Sequence, residues 1–297
     1  VTEAKPSLSE WTAAARPKTL AASVVPVAVG CAAAARAAAF DPLPAALCLL
    51  FAMLAQVGTN WANDYYDFRR GADREDRLGP ARMVASGRIA PEAMRRAALG
   101  VFALAFLCGL PLAFIRDLWM LALGVLCLGF GYAYTGGPYP LAYRGLGDVF
   151  VIVFFGLAAT GGAQYAVAGT VAPQTLAAGL AIGLLANNIL AVNNCRDRET
   201  DARAGKLTLA ARFGRRFCVG QVWTQSALAL AVAAGLGLAE REVWLALPLL
   251  SAPLAARLGL ELRWRDGSDL NPSLGQAALL LLAYGILFVA GTLLAPA

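Results

Sequence analysis

Nine apolar segments, each long enough to cross a bilayer, divide this chain and restrict it to a helical membrane fold. They cover residues 17–36, 43–67, 92–115, 118–135, 148–169, 174–195, 217–239, 243–260 and 273–295. A span needs about 20 apolar residues, and in lipid the backbone polar groups must be satisfied without water. Runs of this length predict helices. Composition agrees: 59% of the 297 residues are hydrophobic and 15% are charged, whereas soluble domains are near 25% charged. The expected fold is all-α and polytopic, a single membrane domain over residues 1–297. Prolines 26, 111, 248 and 253 fall inside apolar runs and predict kinks or breaks.

Orientation follows from the cations. With the N-terminus in the cytoplasm, 22 of the 25 lysines and arginines lie inside, leaving Arg36, Arg116 and Arg241 outside. This asymmetry accounts for the net charge of +6, so no nucleic-acid partner is invoked. The C-terminus then lies outside. The stretch Val1 to Arg16 is polar and carries no cleavage site, so the first apolar run is read as a retained helix. The chain has no histidine, which removes His-based metal sites and His general bases. Its six cysteines form no CxxC pair and read as small apolar residues rather than zinc ligands or a disulfide framework.

Two carboxylate clusters interrupt the apolar pattern. One is Asn60-Trp61-Ala62-Asn63-Asp64-Tyr65-Tyr66-Asp67 and the other Asn193-Asn194-Cys195-Arg196-Asp197-Arg198-Glu199-Thr200-Asp201. Asn60, Asp64 and Asp67 stand at i, i+4, i+7; Asn193, Asp197 and Asp201 stand at i, i+4, i+8. On a helix each set lines one face. Asn60 to Asn193 and Asp64 to Asp197 are both separated by 133 residues. Each cluster ends an apolar run and opens an Arg-rich loop with an early glycine, Gly71 or Gly205. The halves read as an internal repeat, roughly 17–135 and 148–260, followed by a helix at 273–295. Both clusters fall on the cytoplasmic side.

Carboxylates flanking a membrane helix are often solvated or paired with nearby arginines. Here Asp64, Asp67 and Asp197 are read at or near helix C-termini, where the dipole prefers cations, with Asp201 beyond, and the arrangement occurs twice with asparagine alongside. Asp64, Asp67, Asp197 and Asp201 are therefore expected to hold metal, with Asn60, Asn63, Asn193 and Asn194 contributing to substrate binding. Mg²⁺ takes one or two carboxylates plus phosphate oxygens and water. Two ions, one per cluster, would bridge a diphosphate and stabilise it as a leaving group. An allylic diphosphate would leave a delocalised cation, a reaction that needs no protein nucleophile.

The loops add cations. Arg74, Arg77, Arg82 and Arg88 follow the first cluster, and Arg203, Lys206 and Arg212 follow the second. Arg82 and Lys206 are the expected diphosphate contacts. Arg16, beside Pro17 and Lys18, reads equally as an inside anchor or an anion contact. Tyr134, in the segment ending the fourth span, has a ring that would stabilise a cation or belong to an interfacial aromatic belt. Arg144 is the expected partner of an acceptor carboxylate.

These residues resemble the UbiA superfamily of intramembrane prenyltransferases. The resemblance rests on Ala15-Arg16-Pro17-Lys18-Thr19-Leu20, the two aspartate clusters, Gly79-Pro80-Ala81-Arg82, Tyr134-Thr135-Gly136-Gly137-Pro138 through Gly147-Asp148, and Gly205-Lys206-Leu207-Thr208-Leu209. The Thr-Gly-Gly-Pro stretch and the Asn-Asn-x-Arg-Asp form point to its naphthoate branch. Asp148, where Glu is commoner, and Cys195, where Met is commoner, are small departures. The resemblance implies nine helices around a central cavity, with two Mg²⁺ ions at its cytoplasmic end. It implies a polyprenyl diphosphate donor whose tail lies in membrane lipid. The acceptor would be 1,4-dihydroxy-2-naphthoate, prenylated on the ring carbon that loses CO₂ to give demethylmenaquinone in menaquinone biosynthesis. The expected location is the cytoplasmic membrane, with no obligatory protein partner. The alternative reading is the same transfer to another aromatic acceptor such as homogentisate or 4-hydroxybenzoate. A cation-coupled transporter would place its charges nearer the bilayer midplane.

Overall fold

The computed structural model describes residues 6–73 and 78–296, and all regular structure in these residues is helical. Arg74 and Arg77 lie outside the described residues. Helix α1 (Leu8–Ala15) starts at a capping box in which Ser7 Oγ accepts the Glu10 N–H at 3.3 Å and the Glu10 carboxylate accepts the Ser7 N–H at 2.7 Å. It stops at Arg16, whose φ of 54° is left-handed. A 3-10 turn at Pro17–Thr19 leads into α2 (Ala21–Arg36), and the two arms meet at 54°.

Helix α3 (Pro42–Arg69) opens with Pro42 at its first position and with the Asp41 carboxylate accepting the Leu43 N–H at 3.0 Å. Its 28 residues extend about 42 Å, well beyond the roughly 30 Å of hydrocarbon core. Helix α8 (Pro173–Arg203), at 31 residues, is longer still. Both aspartate clusters occupy the C-terminal overhangs of these two helices. Between them lie α4 (Pro91–Ile115), α5 (Trp119–Ala133) and a rod made of α6 (Gly147–Val151), a π-helical stretch at Ile152–Ala158 and α7 (Ala159–Ala168). Helix α9 (Leu209–Ala239) is kinked at Gly214, a 3-10 segment at Val243–Ser251 runs into α10 (Ala252–Trp264), and α11 (Asn271–Leu294) closes the fold.

Among the described residues seven helices are long and apolar enough to span a membrane, and the bent α1–α2 pair makes an eighth. Full-length spans among the described residues therefore number seven or eight, short of the expected nine. Helix α5 has 15 residues, about 22 Å, because Gly136, Gly137 and Pro138 follow and cannot extend it. The prolines divide in their effect. Pro26 and Pro111 sit inside unbroken α2 and α4, while Pro248 and Pro253 bracket the change from 3-10 to α geometry.

Helix α8 is central: 78% of its most apolar stretch is buried in protein, against 22% for α3. It packs on α9, on α11 and on the π-helical stretch. The last contact depends on glycine. A Cβ at Gly183 would lie 2.6 Å from the Ile152 carbonyl oxygen, and one at Gly156 would lie 2.5 Å from that of Gly179. Small residues of this kind let helix backbones approach in lipid, where packing rather than water expulsion drives association. The largest core joins α2, α8, α9, α10 and α11 through Val25, Ile182, Val222, Leu258 and Leu281.

Candidate active site

A cavity of about 530 Å³ lies between the two motif helices, the α1–α2 bend and the start of α6. That volume suits a small-molecule site. Along α3 its wall changes from Phe51 and Ala55 to Asn60, Asn63, Asp64 and Asp67. An apolar part of the wall is aromatic: Phe130, Phe150 and Phe154 pack with ring centroids 4.9 to 5.7 Å apart. Arg16, Arg82, Tyr134, Asn193, Asn194 and Lys206 also line it.

Each aspartate is held in its own way. Asp64 accepts the backbone N–H groups of Met83 at 3.1 Å and Val84 at 3.2 Å, so the loop after the first motif folds back onto it. Asp67 accepts the Tyr143 hydroxyl at 2.9 Å. Burial, then the Asp67 charge and this hydrogen bond, push the Tyr143 phenol up. Asp197 takes the Arg196 guanidinium in a fork at 2.8 and 2.6 Å. Lys206 joins the two motifs: its Nζ is 3.5 Å from Asp67 and 3.8 Å from Asp201. Its backbone N–H donates to the Asp201 carbonyl at 2.8 Å, which turns the chain sharply beyond α8.

The asparagines support the site. Asn60 donates to the Ala15 carbonyl at 2.9 Å and to Thr19 Oγ1 at 3.3 Å, pinning the bend that carries Arg16. Asn63 accepts the Thr135 hydroxyl at 2.7 Å. Asn193 accepts Arg196 Nη2 at 2.7 Å. Arg82 lies 3.3 Å from the Asp73 carboxylate, within its own loop.

Six of the described residues singled out in the sequence lie away from the cavity lining. Arg144 does not line the cavity; it is exposed, with its guanidinium 4.6 Å from the Tyr139 ring centroid, because the turn at Leu141–Arg144 ends there and points it outward. Asp197 and Asp201 are buried but do not line the cavity either. Arg212 caps backbone, donating to the Leu207 and Arg144 carbonyls at 3.0 Å each, while Arg88 and Arg203 are exposed.

Arg196 was missed. It is 1% exposed and holds Asn193, Asp197 and Asn271 together, the last at 2.9 Å. Gly79 lies flat on it; a Cβ there would come 2.5 Å from Nη2. An arginine inside a run of apparent loop charges carries no sequence signal of burial. Tyr143 and Thr135 were also missed as holders of Asp67 and Asn63.

Among the described residues no three acidic side chains converge as a cage. A magnesium site needs fewer, since phosphate oxygens and water complete it. One carboxylate from each motif already converges on a single positive charge, the Lys206 ammonium. Hard oxygen donors that share a cation fit such an ion.

A helical membrane protein with two facing aspartate motifs over a cavity with an aromatic patch in its wall is the class these features define. The UbiA prenyltransferase family model matches residues 23–283, and the chain belongs to that family. It is 40% identical to a 1,4-dihydroxy-2-naphthoate octaprenyltransferase from Mycobacterium tuberculosis, covering 97% of each chain. It is 36% identical to one from Haemophilus influenzae, covering 97% of this chain and 96% of that protein. The fold matches the apo UbiA homolog from Aeropyrum pernix (TM-score 0.66, 17% identity, 90% of this chain and 96% of that one). It also matches a UbiA homolog from Archaeoglobus fulgidus bound to GPP and Mg²⁺ (TM-score 0.59, 22% identity, 94% and 99%).

Proposed function

We propose that the protein transfers a polyprenyl group from polyprenyl diphosphate to 1,4-dihydroxy-2-naphthoate in the synthesis of menaquinone. The observation that carries this reading is the convergence of Asp67 and Asp201, one from each motif, on a single cation beside the cavity. The relatives named as naphthoate octaprenyltransferases over nearly the whole chain support the acceptor. Asp64, Asp67, Asp197 and Asp201 would hold Mg²⁺, two ions in this reading, which when bound offsets the negative charge of the departing diphosphate. Lys206 and Arg82 bind the diphosphate by charge-assisted hydrogen bonds. Asn60 and Thr19 hold Arg16 toward the same group. The Tyr134 ring faces the allylic cation, and Phe130, Phe150 and Phe154 keep water from it while they hold the prenyl chain. The motif helices are read as counterparts in a repeat, 17–135 and 148–260, with the motifs facing the cytoplasm.

The test is an assay of the protein in vesicles with radiolabelled polyprenyl diphosphate. Dihydroxynaphthoate, homogentisate and 4-hydroxybenzoate are offered together. The expected result is prenylation of the naphthoate with CO₂ release, abolished by EDTA and restored by Mg²⁺. Preference for 4-hydroxybenzoate would move the protein to a sister activity, and full turnover in metal-free buffer would overturn the metal reading.

A further inference from the structure

One carboxylate in the cavity wall belongs to neither aspartate motif. Asp148 is 6% exposed and lines the cavity from the first turn of α6. It forms no ion pair among the described residues. Its Oδ1 accepts two amide hydrogen bonds, from Asn187 Nδ2 at 3.0 Å and from Gln221 Nε2 at 2.5 Å. Its Oδ2 takes no hydrogen bond among the described residues. A buried acid within a membrane protein is costly and marks a functional position. Two neutral amides from α8 and α9 orient it without neutralising it.

Its place suits the acceptor rather than the diphosphate. Asn187 stands ten residues before Asp197 on α8, about 15 Å along the helix. Tyr134 is beside it: a Cβ at Gly147 would lie 2.9 Å from the Tyr134 hydroxyl oxygen. The carboxylate therefore shares a wall with the ring expected to face the cation. The chain has no histidine, and the other acidic residues lining the cavity, Asp64 and Asp67, belong to the first motif.

We infer that Asp148 is the proton acceptor for the aromatic substrate, an assignment that rests on the prenyl-transfer reading above. A phenol attacks an allylic cation far more readily as its phenolate. The acceptor O–H bond breaks and its proton passes to Asp148 Oδ2. The freed electron pair feeds the ring, and the carbon bearing the carboxylate forms a bond to C1 of the prenyl group. The C1–O bond to diphosphate breaks with its pair remaining on the diphosphate oxygen. The product is a β-keto acid. It loses CO₂, the C–C pair returns to the ring as an enolate, and the enolate oxygen takes back the proton from Asp148. The residue ends the cycle as it began.

The test compares wild type, Asp148→Asn and Asp148→Glu in vesicles with Mg²⁺. Asparagine keeps the shape and can accept both amide bonds through its own Oδ1. Two rates are read: transfer to the naphthoate, and hydrolysis of the donor without acceptor, which needs no aromatic proton acceptor. Asp148→Asn is expected to lower kcat for transfer by about a hundredfold or more, with donor hydrolysis within about threefold of wild type. Asp148→Glu should recover at least about a tenth of the wild-type rate. The asparagine defect should also shrink on acceptors with more acidic hydroxyl groups, which need less help to ionise. Transfer by Asp148→Asn at the wild-type rate would overturn the assignment, as would parallel loss of both rates in both variants, which marks a structural role. A wild-type protein that hydrolyses the donor but prenylates no phenol refutes the transfer reading itself and takes the assignment with it.

Discussion

At the scale of single residues, the site is an arrangement of charges that already compensate one another. Lys206 lies between Asp67 and Asp201, and Arg196 holds Asp197. Removing a carboxylate removes a metal ligand, so Asp67→Asn should reduce transfer by at least about a hundredfold. The protein should still insert, as checked by its yield in the membrane fraction. Lys206→Ala and Arg82→Ala act on donor binding in ground and transition states alike. Each should raise the donor KM by about tenfold, given about 1.5 kcal/mol for a charge-assisted contact; an unchanged KM in both would make them mere inside anchors. Arg196 differs in kind. Its guanidinium satisfies three partners at once, and a lysine ammonium cannot reproduce that fork. Arg196→Lys should therefore inactivate at lower temperature as well as lose activity, which a thermal inactivation series will show.

At the scale of elements, the site depends on how α8 is seated. Gly183 and Gly156 let the π-helical stretch lie against it, and Gly183→Leu drives a side chain into the Ile152 carbonyl. The expected outcome is a protein that inserts but inactivates several degrees lower. The C-terminal end of α8 is tied to the α10–α11 turn by Arg198, which donates to Asp266 at 2.5 and 2.8 Å. The Arg198 hydrogen bond, helped by the Gly267 N–H and opposed by burial, holds the Asp266 carboxyl below its ordinary value near 3.8. A lowered folded-state value means that the tie stabilises the protein above the unfolded value and is lost as pH falls through the folded one. Wild type should thus outlast Asp266→Asn at neutral pH, and the gap in inactivation rate should close in acid below pH 3.8.

At the scale of the whole molecule, the asymmetry of basic residues predicts an orientation with both motifs facing the cytoplasm. Cysteines introduced as Ala72→Cys and Ala204→Cys, in a background without the six native ones, should react with a membrane-impermeant reagent only from the cytoplasmic side. Labelling from the opposite face alone would reverse the topology and move the site to the other surface. Both positions follow a motif helix, so the two variants should always agree. Disagreement would separate the motifs across the membrane and break the shared site.

The sequence by itself determined the helical membrane class and the segments, because hydropathy over about 20 residues is a local property and lipid leaves the backbone little choice. It also marked the two motifs and Lys206, since spacing along one helix is enough to put Asn60, Asp64 and Asp67 on a face. It did not determine how many segments reach full span, because Gly136, Gly137 and Pro138 shorten α5 and Arg16 bends the first span. Which charges turn inward was decided only by tertiary structure. Arg144 and Arg196 stand in similar mixed surroundings in the sequence. A turn ending at Gly145 leaves Arg144 on the surface over Tyr139, whereas α8, Gly79 and Asn271 enclose Arg196. Asp148 is the same case: its amide partners come from residues 39 and 73 positions away, and only the packing of α6 against α8 and α9 brings them onto one carboxylate oxygen.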